Sequence, residues 1–239
     1  MTQTVIQRVF KPFKEHLPEP IWQMIRSVGT AVIGPIRFAY LSGYWRSSFK
    51  RAAVTKSGSP LPWYTYPAID FLKFRNYQDK RVLEFGGGQS TLWWAEHAES
   101  VVTLEGDEQW FNDIKQGMPS NVSLHYVSMQ NREENVIAVN GVLKQYPQAK
   151  YDVIVIDGLY RFEMIEIALK HLNNDGVIIC DNAEGYNFCE GFKGSGLQRV
   201  DFFGNAPGTV LPHCTCLYFA QNSFIFNAEH PIPVIAHTH

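Results

Sequence analysis

The run Tyr151–Ile156, Tyr-Asp-Val-Ile-Val-Ile, constrains the fold more than any other segment of the chain. It shows no polar and apolar alternation, so a strand built from it has no solvent face and belongs inside a sheet covered on both sides. Gly176–Cys180 has the same character. Around these runs, short apolar stretches alternate with helical patterns. Strands are predicted over Arg81–Phe85, Ser100–Glu105 and Val122–Val127. Helices are predicted over Ser90–His97 (with Ser90 as N-cap), Glu108–Gln116, Glu133–Lys144 and Arg161–Leu172. Such alternation predicts βαβ units with right-handed crossovers, and hence an α/β, doubly wound, mostly parallel sheet. Gln198–Phe203 and Thr215–Ala220 have no helix between them, so they should finish the sheet as an antiparallel hairpin.

The turn-rich stretch Ser57-Gly-Ser-Pro-Leu-Pro62 divides the chain into a helical extension, residues 1–60, and a body, residues 61–239. Helical pieces in the extension are expected to break at Pro12, Pro18, Pro20 and Pro35. The extension carries nine basic and two acidic residues, a balance of +7, and the body carries −9, so the whole chain stands at −2. That total gives no nucleic-acid signature. Trp22, Phe38, Tyr40, Tyr44, Trp45 and Phe49 lie among the basic residues of the extension. Either this arm touches an anionic membrane or covers a lipid-linked or sugar-like substrate, or it packs on the body or on a second subunit of a homo-oligomer. Ile21–Tyr44 is interrupted by Arg26, Pro35 and Arg37, which makes a poor membrane span. Met1–Phe10 lacks the apolar run of a signal peptide, and the four cysteines form no CxxC pair. A cytoplasmic setting, at most peripheral to the inner face of a membrane, is the simplest reading.

The sharpest motif is Val82-Leu-Glu-Phe-Gly-Gly-Gly-Gln-Ser90, at the carboxyl end of the first strand. Gly86, Gly87 and Gly88 allow a tight turn and close approach to a ligand. A dinucleotide fingerprint needs a third small residue where Thr91 stands. Glu84 directly precedes the loop, and a carboxylate there favours a cationic ligand over a diphosphate.

Glu-x-Gly-x-Gly after an apolar strand resembles the first motif of class I S-adenosylmethionine-dependent methyltransferases, which have a Rossmann-like fold. The resemblance covers roughly residues 65–225 and implies S-adenosylmethionine as cofactor. It places Glu105, ending the second strand, at the ribose hydroxyls, with Gly106 beside it and Asp107 in reserve. It places Ser128 and Met129, after the third strand, at the adenine. Glu84, Gly86, Gly87, Gly88, Ser90 and Asp157 complete the implied cofactor set. Pro62-Trp-Tyr-Thr-Tyr-Pro67 and Cys214-Thr-Cys216 resemble methyltransferases found with bacterial polysaccharide and surface-glycan enzymes. Trp63, Tyr64 and Tyr66 are therefore candidates for cofactor or acceptor contacts, or else core residues.

Asp157 ends the fourth strand and Asp181-Asn182 ends the fifth, on the same sheet edge as the glycine loop. Together they resemble the magnesium site of catechol-type O-methyltransferases, with Tyr160 where that family carries lysine. Two readings stand side by side. In one, Asp157, Asp181 and Asn182 hold magnesium; in the other, Asp157 accepts the acceptor's proton without metal. His213 is the only histidine placed to reach this edge, as a second candidate base. The expected function is methyl transfer, most readily to oxygen, on a small-molecule, sugar-like or lipid-linked acceptor. A nicotinamide-dependent oxidoreductase and a non-catalytic scaffold are the alternatives.

Overall fold

The computed structural model of the chain describes residues 14, 16–146, 149–158 and 160–226. The expected break at Pro12 and the Met1–Phe10 segment lie outside the described residues.

Seven strands form one sheet: β1 (Arg81–Phe85), β2 (Ser100–Glu105), β3 (Val122–Tyr126), β4 (Tyr151–Ile156), β5 (Leu172–Cys180), β6 (Gln198–Gly204) and β7 (His213–Phe219). Their order is β3-β2-β1-β4-β5-β7-β6. All neighbours from β3 to β5 are parallel, whereas β7 runs antiparallel to β5 and to β6. The doubly wound sheet with its terminal hairpin is thus present. All six residues of β4 are buried, as a strand without a solvent face requires. The chain order reverses between β1 and β4, so a crevice opens beyond their carboxyl ends.

Two cores lie on opposite faces of the sheet. One gathers Leu83, Ile154, Ile156, Ile178 and Phe188, and the other gathers Tyr64, Trp93, Trp94, Val153 and Leu217. Cys180 and Cys216 face each other across β5 and β7, and Cys214 is also buried.

The helices are α1 (Glu19–Leu41), α2 (Tyr44–Lys50), α3 (Tyr66–Leu72), α4 (Gln89–His97), α5 (Glu108–Ile114), α6 (Arg132–Leu143), α7 (Met164–His171) and α8 (Phe188–Gly191). Three differ from expectation. First, α1 does not break at Pro20 or Pro35. Pro20 falls in its first turn, where no amide is required, and the carbonyl that Pro35 deprives of a partner, on Ala31, is exposed to water. Second, the N-cap of α4 is Gly88 rather than Ser90, which lies buried inside the first turn. Third, α7 begins at Met164, leaving Arg161 in the preceding turn.

Candidate functional site

A cavity of about 920 Å3 opens in the crevice beyond β1 and β4. Its walls include the glycine loop, the ends of β2, β4 and β5, and the 209–213 segment leading into β7. Gly86 has φ +97°, and a Cβ there would stand 2.7 Å from the Gly158 amide, so β1 and β4 can close together only at glycine.

Glu105 is the fixed point of the glycine-loop side. It is 7% exposed and borders the cavity. One carboxylate oxygen accepts from the Gly87 amide at 2.7 Å, and the other accepts from the Gly106 and Asp107 amides, both at 2.7 Å. Three charge-assisted bonds hold a carboxylate against rotation far better than one would. The Asp107 side chain is engaged elsewhere, capping α5 through the Trp110 amide. Met129 packs directly on Gly106, where a Cβ would collide with its thioether, and it lines the cavity. Ser128 is not in the wall; its carbonyl accepts from Asn135 Nδ2 at 3.0 Å. Ser90, Gly87 and Gly88 do line the cavity.

Glu84 is placed beneath the loop rather than on the wall, fully buried. Thr91 Oγ1 donates to its carboxyl at 2.5 Å and Thr103 Oγ1 at 3.0 Å. Thr91 Oγ1 in turn accepts from the Gly88 amide at 3.0 Å. The chain Glu84–Thr91–Gly88 therefore braces the loop from below, which explains why threonine stands where a dinucleotide loop needs a small residue. Burial pushes the Glu84 carboxyl up to about 7, against the pull of its hydroxyl donors.

At the ends of β4 and β5, Arg161 is the organising residue. It is 8% exposed. Its Nε donates to the Gly158 carbonyl at 2.9 Å, a terminal nitrogen donates to the Asp181 carbonyl, and the other meets Asp157 Oδ1 at 3.0 Å. The ring of Tyr186 lies 4.8 Å from the guanidinium carbon. Burial and the neighbouring Asp181 carboxylate push Asp157 upward, and Arg161 holds it back. Asp181 Oδ1 accepts from Thr215 Oγ1 at 2.6 Å, and Thr215 Oγ1 accepts from the Thr65 amide at 2.9 Å. His213 Nε2 stands 3.5 Å from the same Asp181 oxygen, buried and without a hydrogen bond, and that carboxylate raises the imidazole above its ordinary value. Asn182 borders the cavity in a left-handed conformation, φ +49°.

This arrangement gives the magnesium expectation no support. Asp157 is paired with Arg161, and Asp181 is occupied by Thr215. Among the described residues, no three His, Cys, Asp or Glu side chains converge as metal ligands would. The donor set does not fit a dication, because a guanidinium already supplies positive charge between the strand ends.

Of the aromatic candidates, Trp63 borders the cavity and donates from Nε1 to the Pro207 carbonyl at 2.8 Å. Tyr64 is core, accepting from Trp94 Nε1 at 3.2 Å, and Tyr66 meets Phe38 edge-on. Sequence reasoning missed Trp110 and did not place Arg161 among the site residues. The indole of Trp110 donates to the Gly87 carbonyl at 2.8 Å and lines the cavity. Its place in the first turn after the β2 acid is the signal that could have found it.

No family model matches the sequence, and no curated protein is similar to it. Solved structures share its fold. Precorrin-6y C5,15-methyltransferase of Geobacter metallireducens superposes with a TM-score of 0.51 at 16% identity, over 73% of this chain and 96% of that one. An O-methyltransferase of Bacillus cereus, solved with S-adenosylhomocysteine, gives 0.46 at 20% identity over 59% and 74%. An O-methyltransferase of Streptomyces achromogenes involved in tomaymycin synthesis, solved with S-adenosylmethionine, gives 0.45 at 17% over 60% and 74%. The fold is the Rossmann-like fold of methyltransferases, with the antiparallel strand at the sheet's end.

Proposed function

We propose that the protein transfers a methyl group from S-adenosylmethionine to a hydroxyl of a small or sugar-like acceptor, free or lipid-linked. The observation that carries this reading is Glu105, fixed by three amides at the rim of the cavity with lone pairs left for a diol. Gly106 and Met129 form an apolar bed beside it for a purine ring. Glu84 contributes by holding the glycine loop, and Trp110 by closing it from the α5 side.

When bound, the cofactor supplies a methyl group on sulfonium, a good leaving group, so alignment carries most of the chemistry. Arg161 fixes Asp157 at the cavity wall, and His213 lies beside Asp181. An acceptor proton passes to Asp157, whose raised proton affinity suits that task. His213, 3.5 Å from Asp181, is the second candidate base.

Calorimetry with S-adenosylhomocysteine and with NAD tests the cofactor. Binding of the first alone is expected; binding of NAD alone would establish the oxidoreductase reading. Incubation with methyl-labelled cofactor and fractionated small molecules then tests turnover, and cofactor binding with no labelled product would favour a scaffold.

A further inference from the structure

Helix α1 has no buried residue, although it is 23 residues long and spans about 35 Å. Ile21, Met24, Ile25, Val28, Val32 and Ile36 recur at three- and four-residue spacing along one side, each between 39% and 62% exposed. Successive residues turn by about 100° around a helix, which puts Gln23, Arg26, Thr30 and Arg37 on the opposite side. Towards its C-terminal end the helix touches the body, where Phe38 meets Tyr66 edge-on at 5.3 Å. The apolar side is therefore an amphipathic face left largely exposed among the described residues.

Two further exposed apolar features accompany it. On α2, Trp45 and Phe49 stand one turn apart, 48% and 89% exposed, with Arg46, Lys50 and Arg51 exposed around them. The 205–212 segment is fastened to that helix: Tyr44 Oη donates to the Thr209 carbonyl at 2.7 Å, and Gly208 rests against the Ser47–Ser48 peptide. It presents Val210 at 88% and Leu211 at 76% exposure on the rim of the cavity.

We propose that α1, α2 and the 205–212 segment dock the protein on the surface of an anionic lipid bilayer, with α1 lying in the interface. Charge decides between the occupants of such a face. Residues 1–60 carry +7, so two copies brought together through these arms repel, whereas an anionic bilayer attracts them. An amphipathic helix with an apolar stripe and a cationic polar side partitions into the headgroup region rather than across it. Among the described residues no helix is long and apolar enough to cross a membrane.

The test is co-sedimentation of the full chain with vesicles of phosphatidylcholine alone and with equal parts of phosphatidylglycerol. Binding to the mixed vesicles alone is expected, lost at high salt as the screening length falls from about 10 Å at 0.1 M to about 3 Å at 1 M. The paired substitution Val28→Asp and Val32→Asp is expected to lower partitioning more than tenfold, since charge inside the apolar stripe opposes burial on the order of 5–10 Å below the headgroups. Neutralising Lys50 or Arg51 to Gln should lower it about fivefold each. S-adenosylhomocysteine affinity serves as the folding control, because none of these positions borders the cavity. Binding indifferent to lipid charge, or unchanged by the Val28 and Val32 substitutions, overturns the proposal. So does light scattering that shows a dimer which the same substitutions convert to monomer, because the face is then a subunit interface.

Discussion

Replacing Glu105 by Gln separates the two tasks assigned to that side chain, holding the loop and holding the ligand. The carboxylate receives one amide on one oxygen and two on the other. An amide side chain has one acceptor oxygen, and its least costly rotamer turns that oxygen towards Gly106 and Asp107 and points its NH2 at the Gly87 amide. One charge-assisted bond is lost and two donors face each other, a cost of about 1.5–3 kcal/mol for a buried group. For a domain of this size, that lowers the melting temperature by about 3–12 °C. The ligand loses an acceptor for its diol at the same time. A further loss of about 2–3 kcal/mol weakens S-adenosylhomocysteine about 30- to 150-fold. Calorimetry on wild type and E105Q, with circular dichroism and thermal melts on both, reads the two effects independently. Wild-type affinity in a folded E105Q protein would refute the ribose role. Wild-type affinity together with an unchanged melting temperature would also refute the brace.

Three more outcomes rest on the same geometry. The Glu84 carboxyl lies at about 7 in the fold, above its ordinary value near 4.5. The folded state therefore holds a proton that the unfolded chain has released, and stability falls between about pH 4.5 and 7 by on the order of 3 kcal/mol. Glu84→Gln removes that dependence, so E84Q gains on wild type as pH rises from 4.5 to 8; parallel melting curves across this range would contradict the assignment. Arg161→Gln breaks a largely buried pair and leaves Asp157 without its cation, costing about 3 kcal/mol by urea denaturation, while a chelator leaves wild-type affinity and turnover unchanged; loss of turnover on chelation would restore the metal.

The sheet was legible because its signals are local. A strand buried on both faces needs an unbroken apolar run, and β4 begins and ends where Tyr151–Ile156 does. The places of Gly86 and Glu105 were legible too, since a close backbone approach and an acid at a strand end leave residue-level marks. What stayed hidden depends on partners remote in the sequence. Arg161 looks like a solvated helix start until the Asp181 carbonyl, 20 residues away, is brought to it. Glu84 looked like a ligand group because adjacency to the loop does not reveal which side of the strand end it occupies; pairing of β1 with β2 turns it towards Thr103. Pro35 signals a break only where the freed carbonyl lacks water, and on exposed α1 it does not.

The guanidinium between β4 and β5 also changes what it means for the site to be assembled. A borrowed ion has an occupancy, set by its concentration and by competing ions in the medium. Arg161 has none to set: it is delivered with the chain and reaches Asp157, Gly158 and Asp181 when the α7 turn closes on the sheet. Charge balance at the strand ends is thus a product of folding itself, completed once per molecule, and every folded copy carries the same one.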